Sequence, residues 1–277
     1  STPIKSSAAS DVYKRQVEIT LSGEIIRQKD FSWNASLLYA FNRNKVKHIS
    51  VQPSLWDSRI SMPTSYPMVG KPLYGIYAYK WAGLNENGDP QVYDAENNVT
   101  SGPARDYHAL VYCGTTVPIH NASLTNVLRY KGFEFSAMLI LDAGHKLRSS
   151  NIPSINMSNG RITSTAKGIV DRWTQPGDVT DVPRLLFSND TENFNTHRTE
   201  LYRYSDLFVY DASNIRLSNI SLAYRVPAHW CKKISLSGAR LQFNVENVAT
   251  FAFDSKANYD LGGKVKPNYV WGLYLNF

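Results

Sequence analysis

Large apolar residues occupy alternate positions in several long stretches of the chain. The C-terminal stretch YVWGLYLNF shows the pattern, and its alternate positions are Tyr269, Trp271, Leu273, Leu275 and Phe277. FSWNASLLYAFN, FEFSAMLILDAG and ARLQFNVEN repeat it, whereas helical spacing is not sustained. Because a period of two places successive side chains on opposite faces of a strand, these stretches predict half-buried β-strands in an all-β fold.

Seven strands are predicted, and their connections fall into two length classes. The strands are expected near residues 17–27, 30–45, 118–129, 132–144, 213–226, 236–249 and 268–277. A typical globular strand has about 5–6 residues, whereas a membrane-spanning strand needs about 9–11. The connections at 27–30, 130–133 and 226–235 are short, and those at 46–117, 145–212 and 250–267 are long. This alternation is typical of an antiparallel transmembrane β-barrel with tight periplasmic turns and long extracellular loops.

The pattern leaves two alternatives open. Residues 72–85 also resemble a strand, but one added strand would reverse the direction of its neighbours. We therefore assign this run to an outer loop, or to a pair with a second short strand near residues 90–94. A soluble β-sandwich would produce the same alternation, but it does not readily explain such long strands and loops.

Composition and charge narrow the function classes. Mean hydropathy is −0.33, and no run of eighteen apolar residues exists, which excludes an ordinary transmembrane helix. The net charge of +7 comes from scattered Lys and Arg residues, so we expect no nucleic-acid partner. Cys113 and Cys231 lack metal-site spacing but leave a disulfide open. The histidines are dispersed, and carboxylates such as Asp178 and Asp181 lie in a polar loop. We therefore expect no enzyme activity, no cofactor and no metal.

The first sixteen residues, STPIKSSAASDVYKRQ, differ from the rest of the chain. They show no hydrophobic period and lack the long apolar segment of a signal peptide. We therefore predict that residues 1–16 are a non-native or disordered lead and that the fold comprises residues 17–277.

Five segments carry motifs in a recognisable order. They are VEITLSGEIIRQKDFSWNASLLYAFNRNKV (17–46), GKPLYGIYAYKWAGLNENGDPQVYD (70–94), DRWTQPGDVTDVPRL (171–185), LFVYDASNIRLSNISLAYRVP (207–227) and ARLQFNVENVATF (239–251). The second contains a Tyr-rich stretch followed by Gly-Asp-Pro, and the third contains Trp-Thr, Pro-Gly-Asp and Pro-Arg. Together they resemble the C-terminal part of SusC/RagA-type TonB-dependent transporters of Bacteroidota, although Glu246 stands where that family has Gln.

The resemblance implies that residues 17–277 are the C-terminal part of a TonB-dependent receptor β-barrel in the cell outer membrane. Barrels of this class have about 22 strands, so the predicted strands would form a portion, without the plug and the TonB box. The resemblance implies import of large nutrients, oligosaccharides or peptides. The implied partners are a SusD-like surface lipoprotein, the TonB complex through a missing N-terminal region, the barrel-assembly machinery and outer-membrane lipid. The alternative is a soluble β-sandwich carbohydrate-binding module.

The candidate functional residues are mainly aromatic. Because sugar rings stack on aromatic faces and peptides fill aromatic pockets, loop aromatics are expected to bind ligand: Trp56, Tyr66, Tyr77, Trp81, Trp173, Tyr202 and Tyr204. Their alternative role is to pack the loops on themselves or to form the aromatic girdle at the membrane interface. The residues expected to face lipid are Phe31, Trp33, Phe133, Phe135, Leu241, Phe243, Trp271, Leu273 and Leu275. The family implies that the terminal Phe277 is an assembly signal. Between these apolar positions, Arg240, Gln242, Asn244 and Glu246 are expected to line the lumen.

Overall fold

The chain is built mainly of β-strands. The structure, a computed structural model, describes residues 4–5, 10–50, 58–102, 106–158, 161–162, 166–187, 196–262 and 266–277. In these ranges the strands are β1 (Ile4–Lys5), β2 (Ser10–Arg27), β3 (Phe31–Ile49), β4 (Gly75–Tyr79), β5 (Trp81–Leu84), β6 (Pro90–Tyr93), β7 (Val99–Thr100), β8 (Leu110–Thr115), β9 (His120–Tyr130), β10 (Phe133–Ala143), β11 (Lys146–Arg148), β12 (Asn156–Ser158), β13 (Arg161–Ile162), β14 (Leu186–Phe187), β15 (Val209–Asp211), β16 (Asn214–Arg225), β17 (Gly238–Ala252) and β18 (Asn268–Asn276).

The α-helices are short. They are α1 (Ser58–Ser61), α2 (Thr196–Arg203), α3 (Ala228–Lys232) and α4 (Asn258–Leu261). Turns of 3₁₀-helix occur at Tyr107–Ala109, Lys167–Asp171, Asp206–Phe208 and Ser255–Ala257. Among the described residues, none of these helices is both long enough and apolar enough to cross a membrane.

The largest sheet contains eight strands in the order β1-β2-β3-β9-β10-β16-β17-β18. Antiparallel pairing joins β1 to β2, and it joins each strand from β3 to β18 to its neighbour in this order. Seven of the strands correspond to the seven predicted ones, and apart from the start of β2 and the end of β3 their ends agree within three residues. The predicted antiparallel architecture is therefore confirmed. In the described residues β1 and β18 do not pair with each other, so the sheet is open.

The N-terminal boundary differs from the prediction. Strand β2 begins at Ser10 rather than Val17, and β1 pairs with it through Ile4 opposite Val12. The prediction that residues 1–16 lie outside the sheet is therefore wrong for residues 4–5 and 10–16. The sequence did not reveal this extension, because residues 10–16 do not alternate and backbone pairing needs no apolar period. Of this segment, Val12 is the residue buried in a small cluster with Val46 and Leu73. A non-native origin for this segment stays a prediction.

The long connections leave the main sheet at one end and the short turns at the other. At one end, Phe41 of β3 lies opposite His120 of β9, and Asn214 of β16 lies opposite Ala252 of β17. At the other end, Phe133 of β10 lies opposite Tyr130 of β9. There, Gly238 also lies opposite Asn276. This arrangement confirms the predicted separation of short turns from long loops.

One face of the sheet is apolar from β3 to β18. A row across six strands contains Trp33, Leu128, Phe135, Leu222, Phe243 and Trp271. The neighbouring row on the opposite face contains Asn34, Val127, Ser136, Ser221, Asn244 and Val270. Alternation along each strand therefore becomes one continuous apolar face and one mainly polar face.

A bulge keeps β16 consistent with these two faces. Its pairing with β10 shifts by one residue, because Leu217 lies opposite Leu139 and Asn219 lies opposite Met138. Ser218 is the extra residue. Apolar residues occupy odd positions before it and even positions after it in NIRLSNISLAYR. A one-residue bulge reverses which positions face each side, so all these apolar residues share one face.

The chain divides into two compact units. The first, here called the loop unit, comprises residues 1–14, 44–117 and 146–210. The second, here called the sheet unit, comprises residues 15–43, 118–145 and 211–277. In the loop unit, the predicted strand at 72–85 is interrupted after Tyr79: β4 pairs with β8, whereas β5 pairs with β6. Neither belongs to the main sheet, which confirms their assignment to a loop, and the second pair is the one predicted near residues 90–94.

Candidate functional site

Two of the predicted ligand-binding aromatics fill the interior of the loop unit. Tyr77 is 1% exposed and Tyr202 is 2% exposed. The Tyr77 hydroxyl accepts a hydrogen bond from the Met68 amide at 3.1 Å. The Tyr202 and Phe208 rings pack edge to face, with 4.9 Å between their centroids. Burial raises the pKa of both tyrosines, so both hydroxyls stay protonated. Their burial matches the alternative role of packing the loops on themselves.

The other predicted loop aromatics are more accessible. Tyr66, Trp81, Trp173 and Tyr204 are half-buried, and Trp56 lies outside the described residues. The Trp81 indole N–H donates to Asp181 Oδ1 at 3.0 Å, which orients the ring while leaving part of it exposed. These four side chains offer flat apolar surface with polar edges, which is the chemistry that recognises a sugar ring or an aromatic side chain.

Trp173 is held in a turn against a glycine. Its indole lies so close to Gly88 that a Cβ on that glycine would stand 2.4 Å from the ring. Gly88 also has a positive φ of 72°, which favours glycine. Thr174 and Gln175 donate backbone hydrogen bonds to the Asp178 carboxylate. Together with the Thr174 hydroxyl, they lower the pKa of that carboxyl. Asp178 therefore stabilises the turn that follows Trp173.

A buried ion pair that the sequence analysis missed ties together distant segments of the loop unit. The Arg198 side chain is 2% exposed, and its Nε donates to Asp89 Oδ1 at 3.0 Å. Arg184 donates to the same carboxylate, from Nη2 to Oδ2 at 2.9 Å, and Arg198 Nη2 donates to the Arg184 carbonyl at 2.6 Å. Asp89 and Arg184 belong to the Gly-Asp-Pro and Pro-Arg motifs. The presence of both motifs in the sequence was the available signal for a functional pair. Arg198 lies in the polar helix α2, where no motif marked it.

A second arginine joins loop-unit segments through backbone carbonyls. Arg148 Nη2 donates to the Tyr77 carbonyl at 2.7 Å, and Nη1 donates to the Ser205 carbonyl at 3.2 Å. Burial lowers the pKa of this guanidinium, but an arginine stays charged at neutral pH. The Arg148 guanidinium also lies 5.7 Å from the centre of the Tyr204 ring, so it contacts one of the half-buried aromatics directly.

The carboxylates that the sequence analysis considered for catalysis are engaged in hydrogen bonds within the loop unit. In the residues described, no cluster of three or more His, Cys, Asp or Glu side chains could hold a metal ion. Asp181, one of the carboxylates considered in the sequence, accepts the Trp81 indole hydrogen bond. Asp178 accepts from the backbone of its own turn.

The residues predicted to face lipid share the apolar face of the main sheet. Leu273 lies opposite Leu241, and Trp271 lies opposite Phe243, with 4.2 Å between the Phe243 and Trp271 ring centroids. The exposed fraction is 79% for Trp271 and 62% for Leu273. In the described part of the chain, β18 pairs only with β17. The terminal Phe277 is 92% exposed.

Comparison with known proteins places these features in a class. No family model matches the chain. TonB-dependent receptor P3 of Formosa agariphila is 24% identical over 277 residues, covering 92% of this chain and 26% of that protein. TonB-dependent receptor P26 of the same organism is 25% identical over 240 residues, covering 80% of this chain and 23% of that protein. The chain thus spans about a quarter of the length of these curated relatives.

Solved structures share the fold. The RagAB peptide transporter matches with a TM-score of 0.71 at 19% identity, over 97% of this chain and 30% of the other. The RagAB peptide importer in its 'closed-closed' state matches with a TM-score of 0.67 at 21% identity, over 97% of this chain and 30% of the other. Both curated relatives are TonB-dependent receptors, and the RagAB structures share the fold of this chain. The resemblance to SusC/RagA-type TonB-dependent receptors that the motifs indicate is therefore confirmed.

Proposed function

We propose that this chain forms part of the barrel wall and the outer loops of a TonB-dependent importer in the cell outer membrane. The observation that carries the proposal is the continuous apolar face of the main sheet, with Trp271 79% exposed and Leu273 62% exposed. Apolar patches of this extent are rare on soluble proteins and mark contact with a partner or a membrane. Long antiparallel strands that alternate apolar and polar positions are typical of outer-membrane barrels.

The relatives support an import role. They are named as receptors and peptide transporters rather than enzymes, so we propose no catalytic activity. In the proposed whole protein, the main sheet closes into a barrel by pairing with further strands. Closure is needed because lipid cannot form hydrogen bonds with backbone N–H and C=O groups, so each of them must pair within the protein. We also propose contact with the TonB complex for the whole protein; the curated relatives are about four times as long as this chain.

The proposed cargo is a large nutrient, either an oligosaccharide or a peptide, delivered with a SusD-like surface lipoprotein. The comparison with RagAB peptide transporters supports the peptide. We propose that Tyr66, Trp81, Trp173 and Tyr204 contact the cargo, with Trp56 assigned to the same group from the sequence. Tyr77 and Tyr202 would instead support these residues from the interior, because both are buried.

The sheet unit carries the remaining proposed contacts. Its apolar face would contact lipid through Phe31, Trp33, Phe133, Phe135, Leu241, Phe243, Trp271, Leu273 and Leu275. Phe277 would be recognised by the barrel-assembly machinery, and its 92% exposure leaves it accessible for that contact.

Quenching of tryptophan fluorescence by brominated lipid tests the proposal. Two single-tryptophan variants of the chain, retaining Trp271 or Trp173, are reconstituted into phosphatidylcholine vesicles with brominated or ordinary acyl chains. We expect strong quenching of Trp271 and little quenching of Trp173, because the first lies on the apolar face and the second lies in a polar loop. Equal quenching of both, or none, would contradict the proposal. A chain that stays monodisperse without detergent or vesicles would favour the soluble carbohydrate-binding module.

A cargo titration follows from the aromatic residues. Tryptophan emission is recorded while the reconstituted chain is titrated with a tryptic digest of serum albumin or with a set of neutral oligosaccharides. We expect Trp173→Ala to weaken binding of whichever class binds, while Trp271→Ala leaves it unchanged.

A further inference from the structure

Basic side chains surround a pocket on the polar face of the main sheet, at the end with the short turns. It encloses about 100 Å³ that water-sized molecules can enter, and its lining includes Arg129, Lys131, Arg225, Arg240 and Glu134. All of these residues lie in the sheet unit. The pocket is therefore formed within the sheet unit alone.

The depth of the pocket comes from a small residue between long ones. Ala223 is 3% exposed and lies opposite Glu134 on one side and Gln242 on the other. A methyl side chain between two long polar ones leaves a depression over β16. Gly132 keeps the turn close, because a Cβ there would stand 2.9 Å from the Arg225 carbonyl oxygen.

The pocket carries excess positive charge. Glu134 accepts hydrogen bonds from Arg129 Nε at 2.7 Å and from Arg240 Nη2 at 3.1 Å. Arg225 lies opposite Arg240 and has no ion pair among the described residues. Like charges placed directly opposite on a sheet are destabilising. One carboxylate among four cationic side chains leaves an excess of three positive charges.

We propose that this pocket, here called the short-turn pocket, binds a phosphate group. Arginine forks pair with phosphate oxygens through parallel charge-assisted hydrogen bonds, and Glu134 engages only one nitrogen of each of its two arginines. A phosphate dianion would offset most of the excess charge and separate Arg225 from Arg240. The group is either free phosphate or the phosphate of a small organic phosphate ester, since the pocket lies on the polar face and not on the apolar face proposed to contact lipid. The inference goes beyond import, since nothing in the cargo proposal requires this pocket.

Calorimetric titration of the 277-residue chain in neutral detergent tests the site. The probes are inorganic phosphate and glycerol 3-phosphate at pH 8 and low salt, since screening weakens exposed charges. We expect saturable binding of at least one probe with a dissociation constant of about 1 mM or below, an affinity within reach of a few charge-assisted hydrogen bonds. Preference for glycerol 3-phosphate would identify an organic phosphate ester as the source, and equal or tighter binding of inorganic phosphate would identify the free anion.

Three variants separate a built site from the general charge of the chain. Arg225→Gln should weaken binding about tenfold, since it removes one charge-assisted contact. Ala223→Leu should weaken it by a similar factor without changing any charge, because the larger side chain fills the depression. Arg216→Gln is the matched control: this arginine pairs with Asp142 at 2.9 Å near the long-loop end of the sheet, and its loss should change affinity less than twofold. Far-ultraviolet circular dichroism verifies that each variant keeps its strands.

Two outcomes would overturn the proposal. One is the absence of saturable binding of both probes to the unmodified chain. The other is equal weakening by Arg216→Gln and Arg225→Gln, which would show that phosphate responds only to net charge.

Discussion

The loop unit and the sheet unit place similar aromatic side chains in opposite environments. Tyr77 and Tyr202 of the loop unit are 1% and 2% exposed, and they pack with Leu201, Phe208 and other loop residues. In the sheet unit, Trp271 and Phe277 are 79% and 92% exposed. The loop unit therefore supplies its own apolar interior, whereas the sheet unit leaves its apolar surface to be covered by something else.

The difference teaches that hydrophobicity alone does not identify a core. Both units contain dense aromatic sequence, but the loop unit buries its aromatic residues among short strands and arginine contacts. The sheet unit spreads its aromatic residues along one side of long strands. Burial in water stabilises the first arrangement, and the second becomes favourable when lipid replaces water at the apolar face. The following predictions test this contrast, starting with the largest expected effect.

Removing a buried aromatic side chain should damage the loop unit far more than removing an exposed one damages the sheet. We expect Tyr77→Ala to lower the free energy of opening of β4 by about 3–5 kcal/mol, the usual cost of deleting a large buried aromatic group. Trp271→Ala in detergent should cost less than about 1 kcal/mol, as most surface substitutions do. Hydrogen exchange at the amides of residues 75–79 and 268–276 measures both. Similar losses would show that the two environments do not differ.

Breaking the buried ion pair should be nearly as costly. Asp89→Asn leaves the Arg198 guanidinium 2% exposed without its carboxylate, and removing one partner of a buried pair costs about 3 kcal/mol or more. The free energy of unfolding, measured by urea titration, should fall by that amount. Asp94→Asn is a suitable control, since among the described residues the Asp94 carboxylate accepts hydrogen bonds from Asn98 of its own turn. A loss confined to Asp94→Asn would contradict the central role of Asp89.

A charge on the apolar face should be costly only in lipid. Leu273→Arg should lower the stability of the vesicle-bound chain by about 2 kcal/mol, because arginine is unfavourable in the hydrocarbon region. Asn276→Arg, at the short-turn end and opposite Gly238, should cost close to zero. Flotation of each variant with vesicles across a urea series measures the difference. If both variants float equally well at every urea concentration, Leu273 does not face hydrocarbon.

The smallest effect concerns the reactivity of one thiol in the loop unit. Burial, followed by the nearby Asp206 carboxylate, raises the pKa of Cys113 to about 11. Because this pKa is about two units above the ordinary value of 9.0, the thiolate fraction at pH 8 is about a hundredfold below that of a free cysteine, and only the thiolate reacts. In a Cys231→Ser variant, iodoacetamide should therefore modify Cys113 about a hundredfold more slowly than a free thiol.

The same shift has a consequence for stability at high pH. The unfolded thiol loses its proton near its ordinary pKa of 9.0, whereas the folded thiol keeps it until about 11. In this window the unfolded state binds fewer protons, so stability falls as pH rises. Modification of folded Cys113 at the rate of a free thiol would contradict both expectations.

The strands were the most predictable part of the fold. Alternation along FEFSAMLILDAG located β10 to within one residue of each end, because a period of two directly reflects strand geometry. The burial of Val12 was not predicted, because the alternation of apolar residues begins only at Val17. The pairing of Asp89 with Arg198 could not be predicted either. It joins residues 109 positions apart, and no local pattern records a contact made by folding of the loops.

The candidate binding residues were predictable by type but not by exposure. Both Trp173 and Tyr202 lie in aromatic, loop-like sequence, yet the first is half-buried and the second is 2% exposed. The Arg225–Arg240 juxtaposition depends on strand register, which a one-residue shift would abolish. Sequence alone identified Arg240 as a polar-face residue but not its neighbour across the sheet.

The bulge at Ser218 limits how the length of this protein can change during evolution. Deleting that one residue would turn Ile215 and Leu217 to the opposite side of the sheet, although no side chain had been substituted. A single-residue insertion elsewhere in β16 would have the same consequence for one part of the strand. Within the long strands, tolerated insertions and deletions should therefore occur in pairs of residues or create a compensating bulge. Exposed loop tips, which have no face to preserve, should accept odd and even changes in length alike.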